Sequence, residues 1–453
     1  MQSESSLKNI LRISLPIMFS MLALNIISVT DIVFISRYAS GFDKSVSDGM
    51  IGAVGIGSIY HFCMFMIGSG FATGVQILVA RRNGERNYRR IGGIVESGMM
   101  FLWILAVILI AFSLVIAPVI LPSFIDSPEV VAGTSSFLTI RIFGLIFSYI
   151  NLSLRSFHVG VTDTKPITYT TVLMAASNVV LNYALTFGRF GLPEMGIKGI
   201  AAASVIAEFS GALFFVMYNL KKSVRLKYRL FAFDRVNAAT IKNILRISIY
   251  VMLQYAVSMF TWLAFFLVIE KAGKVFLDSS QLARSVYSLV SIPGWAYAVT
   301  VNTLVSNAIG KGEVDSVMKI ILKMIKISFV TAAITVSILF CFSENVLSIF
   351  SDNPELIGIS NESVTIITGA ILVFSVSTIP FNGISGTGKT GVAMFIEMIS
   401  LLIYGISIYI MFDVFLNRPA GFWYSEYVYW GFLALFSYIY LYSGRWKKGI
   451  REI

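Results

Sequence analysis

Twelve apolar stretches of membrane-crossing length take up almost the whole chain. They run approximately over 13–38, 49–80, 91–121, 130–157, 164–188, 196–220, 246–270, 279–309, 319–343, 357–384, 391–413 and 422–444. Roughly 20 apolar helical residues span a bilayer core. In lipid only helices and closed barrels satisfy every backbone polar group. The expected fold is therefore an all-α polytopic membrane protein. Only 13% of residues are charged and the mean hydropathy is +0.81, whereas soluble domains carry about 25% charge. The one sizeable polar gap, 221–242, is too short to fold alone.

The net charge of +11 would suggest nucleic acid in a soluble protein, but its placement argues otherwise. Of the 35 Lys and Arg, 26 fall in the N-terminal segment, the C-terminal segment and alternate loops, above all 81–90 and 221–246. The opposite loops hold Arg37, Lys44, Arg189, Lys198, Lys271, Lys274 and Arg418, and the loop around Glu344, Asp352, Glu355 and Glu362 is acidic. The positive-inside rule then gives an N-in, C-in topology with an even number of spans. The basic charge reads as topogenic and lipid-facing, with no nucleic-acid partner. Cys63 and Cys341 lie in apolar stretches with no disulfide framework and read as small buried residues. The start MQSESS is polar and weakly charged, so no cleavable signal peptide is expected there.

The heptapeptide KNILRIS occurs twice, at 8–14 and 242–248. VQILVARRNG (75–84) aligns with VNTLVSNAIG (301–310), and GVTDT (160–164) with GTGKT (386–390), both at an offset of 226. Ordered matches with nearly constant spacing mark a duplication. Six spans per copy is an even number, so both halves point the same way. The expected organisation is two pseudo-symmetric six-helix bundles: an N-lobe over 1–220, a cytoplasmic linker over 221–245 and a C-lobe over 246–453. Duplicated transporters place their sites near the bilayer midplane.

GISGTGKT (383–390) satisfies a phosphate-loop pattern, but apolar spans flank it where a strand and a soluble helix are required. It reads as a tight turn between helices. His61 and His158 are far apart in sequence and read as satisfied polar residues; no metalloprotease or nucleophile-elbow motif is present. The chain is not expected to be an enzyme, and no cofactor is expected.

Intramembrane polar residues carry the functional signal. Asp31 lies about 27 Å along the helix from Ile13, in the outer half of the first span. Pro16 sits one turn into that helix and invites a bend. Asn178 and Asn182 are four apart, on one face of the fifth span, while Asn151 lies in the fourth span and Ser204 and Glu208 in the sixth. Converging carboxylate, amide and hydroxyl oxygens suit a proton or Na+, while asparagines alone suit interhelical hydrogen bonding. Gln254, Tyr255, Met259 and Trp262 in the seventh span, with Arg284 and Tyr287 in the eighth, are candidates to line a cavity for flat lipophilic cations, alongside Glu208. Arg284 and Glu397 are candidates to neutralise each other.

The ordered set of segments resembles a multidrug and toxic compound extrusion (MATE) transporter over nearly the whole chain. It comprises SLPIMFSMLALNIISVTDIVFISRY, GVQILVARRNGERNYRR, NLSLRSFHVGVTDTKP, NVVLNYALTFGRFGLPEMGIKGIAAASVIAE and GISGTGKT. The resemblance implies an alternating-access antiporter of a bacterial or archaeal inner membrane. It would export small lipophilic, often cationic compounds, driven by H+ or Na+, and is expected to be a monomer among membrane lipids. It implies an N-lobe ion site at Asp31, Asn151, Asn178, Asn182 and Ser204, a Na+ at Asp31 staying open. Ser204 stands where threonine is usual and Asn182 where aspartate is common. Ser258 and Phe374 fall about where the Na+-driven branch has C-lobe carboxylates. The resemblance is closer to the DinF-like branch, which favours H+. The alternative is a lipid-linked oligosaccharide flippase of the same superfamily, which needs a basic cavity; only Arg141, Arg155 and Arg284 are candidates for one.

Overall fold

A computed structural model describes residues 6–125, 127–351, 353–415 and 418–449. The first five residues, Asp352 of the acidic loop and Arg451 of the basic tail lie outside the described residues. Fifteen α-helices and two short 3-10 turns make up the described structure, with no strand among the described residues.

The chain divides into two compact units: Phe19–Asn83 with Asn87–Ser248, and Met1–Met18 with Gly84–Arg86 and Ile249–Ile453. The first holds most of α1 (Leu7–Ala39), α2 (Lys44–Gly84), α3 (Tyr88–Phe124), α4 (Pro128–Arg141), α5 (Gly144–Gly160), α6 (Lys165–Thr186), α7 (Ile197–Asn219), the short α8 (Lys222–Tyr228) and the start of α9 (Ala238–Ala272). The second holds the start of α1, the rest of α9, α10 (Lys274–Val290), α11 (Ile292–Gly310), α12 (Ser316–Leu347), α13 (Pro354–Gly386), α14 (Thr390–Val414) and α15 (Tyr424–Tyr442). Each KNILRIS copy thus belongs to the unit that holds the body of the other half. α1 runs through Pro16 as one helix.

Among the described residues eight helices pass as spans by length and apolarity, and the bent pairs α4–α5 and α10–α11 bring the number to ten. α6 and α15, 22 and 19 residues long, cover the fifth and twelfth of the apolar stretches. On α3 the buried positions Leu102, Ala106, Ile110, Ser113, Ala117 and Leu121 recur at helical spacing, while the exposed face carries Trp103, Val107, Val115 and Val119. A helix that is apolar on both faces belongs in lipid. Cys63 is half-buried and Cys341 exposed, against the expectation that both are buried; Cys341 lies on α12 among outward apolar residues, where a thiol suits hydrocarbon.

Two spans expected to be continuous are broken. The fourth, over 130–157, bends by 51° between Arg141 and Gly144, and the eighth, over 279–309, by 45° between Val290 and Ile292. In the eighth, Pro293 has no N–H for the Leu289 carbonyl, so the helix restarts there. In the fourth, Gly144 leaves room for a buried ion pair described below. The duplication is visible in the capping: Ser127–Pro128–Glu129 starts α4 and Asn353–Pro354–Glu355 starts α13, 226 residues later, each with a side-chain oxygen accepting from the first turn. The paired glycine turns also match. Gly160 backs onto Val79 and Ala80 of α2, and Gly386 onto Asn302 of α11, where no side chain would fit. GISGTGKT is the end of α13, a turn with Gly388 at φ +87°, and the start of α14.

The expected linker contains α8 and the first residues of α9. Between them the Glu96 carboxylate accepts the Ala232 and Phe233 N–H groups at 2.9 and 3.0 Å, fixing a turn in which Arg229, Phe231 and Phe233 all have positive φ.

Candidate functional site

In the first unit, α1, α6 and α7 bring Asp31, Asn178, Asn182 and Ser204 together. All four are buried, Asp31 being 8% exposed. Asp31 Oδ1 accepts from Asn182 Nδ2 at 2.6 Å and from Asn178 Nδ2 at 3.2 Å, and Oδ2 accepts from the Ser204 hydroxyl at 3.0 Å. Asn182 Nδ2 also donates to Asn178 Oδ1, and Asn178 Nδ2 to Ser204 Oγ. The i, i+4 spacing on α6 is what lets both amides reach one carboxylate. Asn182 Oδ1 is buried and has no partner. The cluster therefore offers three donors to an anion and keeps one acceptor in reserve.

Asn151 does not join this cluster. From α5 its Nδ2 donates to the Glu208 backbone carbonyl at 3.0 Å, and its Oδ1 is unpartnered. Glu208 on α7 forms a bidentate pair with Arg141, at 2.6 and 3.0 Å, with side chains 11% and 13% exposed. A Cβ on Gly144 would collide with both the guanidinium and the carboxylate, so glycine there is what admits the pair. Ser148 also bonds Glu208, and Arg141 lies near enough for its charge to act on both Asp31 and His61. His61 is a correction to the expectation of a satisfied histidine: its Nε2 is buried without a partner. His158 meets the expectation, its ring nitrogens contacting the Asp163 carbonyl and the Asn219 amide at 3.1 Å each.

In the second unit, Glu397 on α14 accepts from Gln254 at 2.7 Å, Ser258 at 2.6 Å and Tyr429 at 3.4 Å. The expected pairing of Glu397 with Arg284 is not formed. The Arg284 guanidinium lies over the rings of Trp262 and Phe266, 5.9 and 5.2 Å from their centroids, because polar neighbours on α9 and α15 already satisfy Glu397. Tyr255 and Met259 are half-buried on α9 between Gln254 and Trp262. Phe374 packs on Trp295 and Trp430, with centroids 5.2 and 4.7 Å away. Tyr287 bonds Glu426, a buried carboxylate that is not among the candidates named from the sequence. The signal that could have found Glu426 is its i, i+4 spacing to Trp430 within an apolar stretch.

Duplicated six-span halves, two broken spans and a buried carboxylate in the first crossing define a polytopic helical transporter fold. A solved structure described as the outward-facing conformation of a multidrug resistance MATE family transporter of the MOP superfamily shares it at a TM-score of 0.87, with 18% identity, over 97% of this chain and 96% of that one. So does a MOP superfamily transporter from Pyrococcus furiosus described as having a binding pocket of reverse polarity, with a TM-score of 0.85, 18% identity and coverage of 97% and 96%. In sequence, a protein named probable multidrug resistance protein NorM from Thermotoga maritima is 24% identical over 446 residues, covering 97% of this chain and 93% of that protein. The chain belongs to the MatE family, whose model matches residues 16–184 and 245–411.

Proposed function

We propose that this chain is a secondary active antiporter of the plasma membrane that exports small lipophilic, often cationic toxic compounds, with H+ exchanged at Asp31. Two lobes over 1–220 and 246–453, joined by 221–245, would carry the alternating access. Family membership and the multidrug-resistance names of relatives support the export reading.

The observation that carries the choice of ion is the donor-to-acceptor balance around Asp31. Three donors meet one carboxylate, and no second carboxylate completes an oxygen cage for Na+ among the described residues. A Na+ ion would have to displace donors, since amide N–H groups cannot coordinate it. A proton needs only that the Asn182 amide turn its oxygen toward the carboxyl. Once protonated, Asp31 can donate to Asn182 Oδ1, the acceptor left without a partner. Protonation removes the intramembrane charge and weakens three charge-assisted hydrogen bonds, each of about 1.5–3 kcal/mol. That change is enough to bias a lobe between two arrangements.

No observation favours a flippase. Arg141 is paired with Glu208, and Arg284 is stacked on Trp262 and Phe266, so two of the three arginines such a cavity would use are engaged.

The test is efflux of a fluorescent lipophilic cation from proteoliposomes with a pH gradient and a Na+ gradient imposed separately. The pH gradient alone should drive export; export that follows the Na+ gradient and ignores pH would overturn the reading.

A further inference from the structure

Glu426 is a carboxylate in the first turn of α15 whose partners among the described residues include no cation. It is 3% exposed. Three helices supply its partners: Tyr287 of α10 donates to Oε2 at 3.3 Å, Tyr404 of α14 to Oε1 at 3.0 Å, and Trp430 of α15 to Oε2 at 2.9 Å. Trp430 Nε1 also lies 3.1 Å from the Tyr287 hydroxyl. Tyr287, Tyr404 and Trp430 are all buried. Arg284, one turn before Tyr287 on α10, turns to Trp262 and Phe266. On the α14 side the neighbouring titratable groups are Tyr429 and, beyond it, Glu397; the Tyr404 and Tyr429 rings are 5.5 Å apart and the Tyr429 hydroxyl reaches Glu397. On the α9 side the neighbour is Phe265, 0% exposed and 6.2 Å from the Tyr404 ring.

The internal repeat gives this cluster its meaning. At the offset of 226, His61 corresponds to Tyr287, Asn178 to Tyr404 and Ser204 to Trp430. At the KNILRIS offset of 234, Asp31 corresponds to Phe265. The second unit therefore builds a polar centre that reuses two of the positions, those of Asn178 and Ser204, that contact Asp31 in the first. The residue that takes the place of Asp31 is apolar, and the carboxylate enters from the last span. Conserved placement with a changed carboxylate source is hard to explain as packing alone, because a buried, unpaired charge is costly to keep.

We infer that Glu426 is a second proton-binding centre of this protein, so that each transport cycle exchanges more than one proton. This rests on the proton-driven reading given above. Donors favour the anion and the dry aromatic surroundings favour the acid, and the two hydroxyls give each state a partner. Sodium fits poorly, since one of the three contacts is an indole N–H, which has no lone pair to offer. On protonation the Tyr287 or Tyr404 hydroxyl can rotate to accept from the acid, while Trp430 keeps donating.

The test is pH-difference infrared spectroscopy of the full-length protein in lipid, in sodium-free buffer and without substrate, on wild type, Glu426→Gln, Glu397→Gln and Asp31→Asn. Glutamine mimics the neutral acid, so the fold is retained. One protonated-carboxyl band that grows on acidification should vanish in Glu426→Gln and persist in Glu397→Gln and Asp31→Asn, while a separate Asp31 band is lost only in Asp31→Asn. Tyr404→Phe removes one donor to the anion, so its band should persist to higher pH. In proteoliposomes, Glu426→Gln should lower the substrate gradient sustained per pH unit by about tenfold, the worth of one proton. A spectrum unchanged in Glu426→Gln, or abolished in wild type by Na+, overturns the inference. Failure of a pH gradient to drive wild-type export, with the Glu426 band intact, would instead overturn the antiport reading and leave the proton-binding centre standing.

Discussion

Replacing Asn182 by aspartate should convert the site in the first unit from proton-selective to Na+-responsive. Asn182 Nδ2 now sits 2.6 Å from Asp31 Oδ1. A carboxylate in its place puts two negative charges about 4 Å apart. At an effective dielectric near 20 their repulsion is about 4 kcal/mol, equivalent to about three pH units for one of the pair. The pair must then keep a proton through neutral pH or share a cation. The substitution also removes the donor to Asn178 Oδ1 and so frees that oxygen beside the two carboxylates and Ser204. Two measurements read this. Export by Asn182→Asp should respond to an imposed Na+ gradient, and Na+ should raise its thermal stability in detergent over an equal concentration of K+, with no such effect on wild type. A folded variant with the wild-type pH profile and no response to Na+ in either assay would refute the claim that Asn182 sets ion preference by facing Asp31.

Asp31→Asn should fold, because the Asn182 amide can turn its oxygen toward the new N–H, but its substrate gradient per pH unit in proteoliposomes should fall by about tenfold, one proton's worth. Arg141→Met leaves Glu208 buried without its partner and should destabilise the protein by about 3–5 kcal/mol, read by denaturant unfolding in mixed micelles. The Arg141→Met/Glu208→Leu double variant should recover most of that loss; a double variant as unstable as the single one would sink the account of the pair.

Periodicity and repetition made the scaffold legible. Each apolar run is long enough to be read alone, and a heptapeptide repeated 234 residues on needs no structure to be seen. The Asp31 cluster was legible for a local reason: Asn178 and Asn182 mark one helix face, and a carboxylate inside an apolar span needs donors. What stayed hidden depends on pairing across distance. The bend after Arg141 has no proline to announce it; it follows from Gly144 making room for Glu208, which is 67 residues from Arg141. Arg284 and Glu397 have opposite charges, which made them natural partners on paper, yet Gln254 and Ser258 reach Glu397 instead. Glu426 sits near a span end, where a carboxylate normally meets headgroups. Only the convergence of Tyr287, Tyr404 and Trp430 shows that it is enclosed.

The Arg141–Glu208 pair also sets an order of events during synthesis. Arg141 belongs to the fourth crossing and Glu208 to the sixth, 67 residues later. At about 5–20 residues per second, the ribosome takes roughly 3–13 s to supply the counter-charge. Over that interval the fourth crossing carries an unmatched guanidinium, a penalty of about 2.5–3.5 kcal/mol at mid-membrane on insertion scales. The nascent fourth segment should therefore wait at the translocon or the interface until the sixth emerges, so that the two settle into the bilayer together.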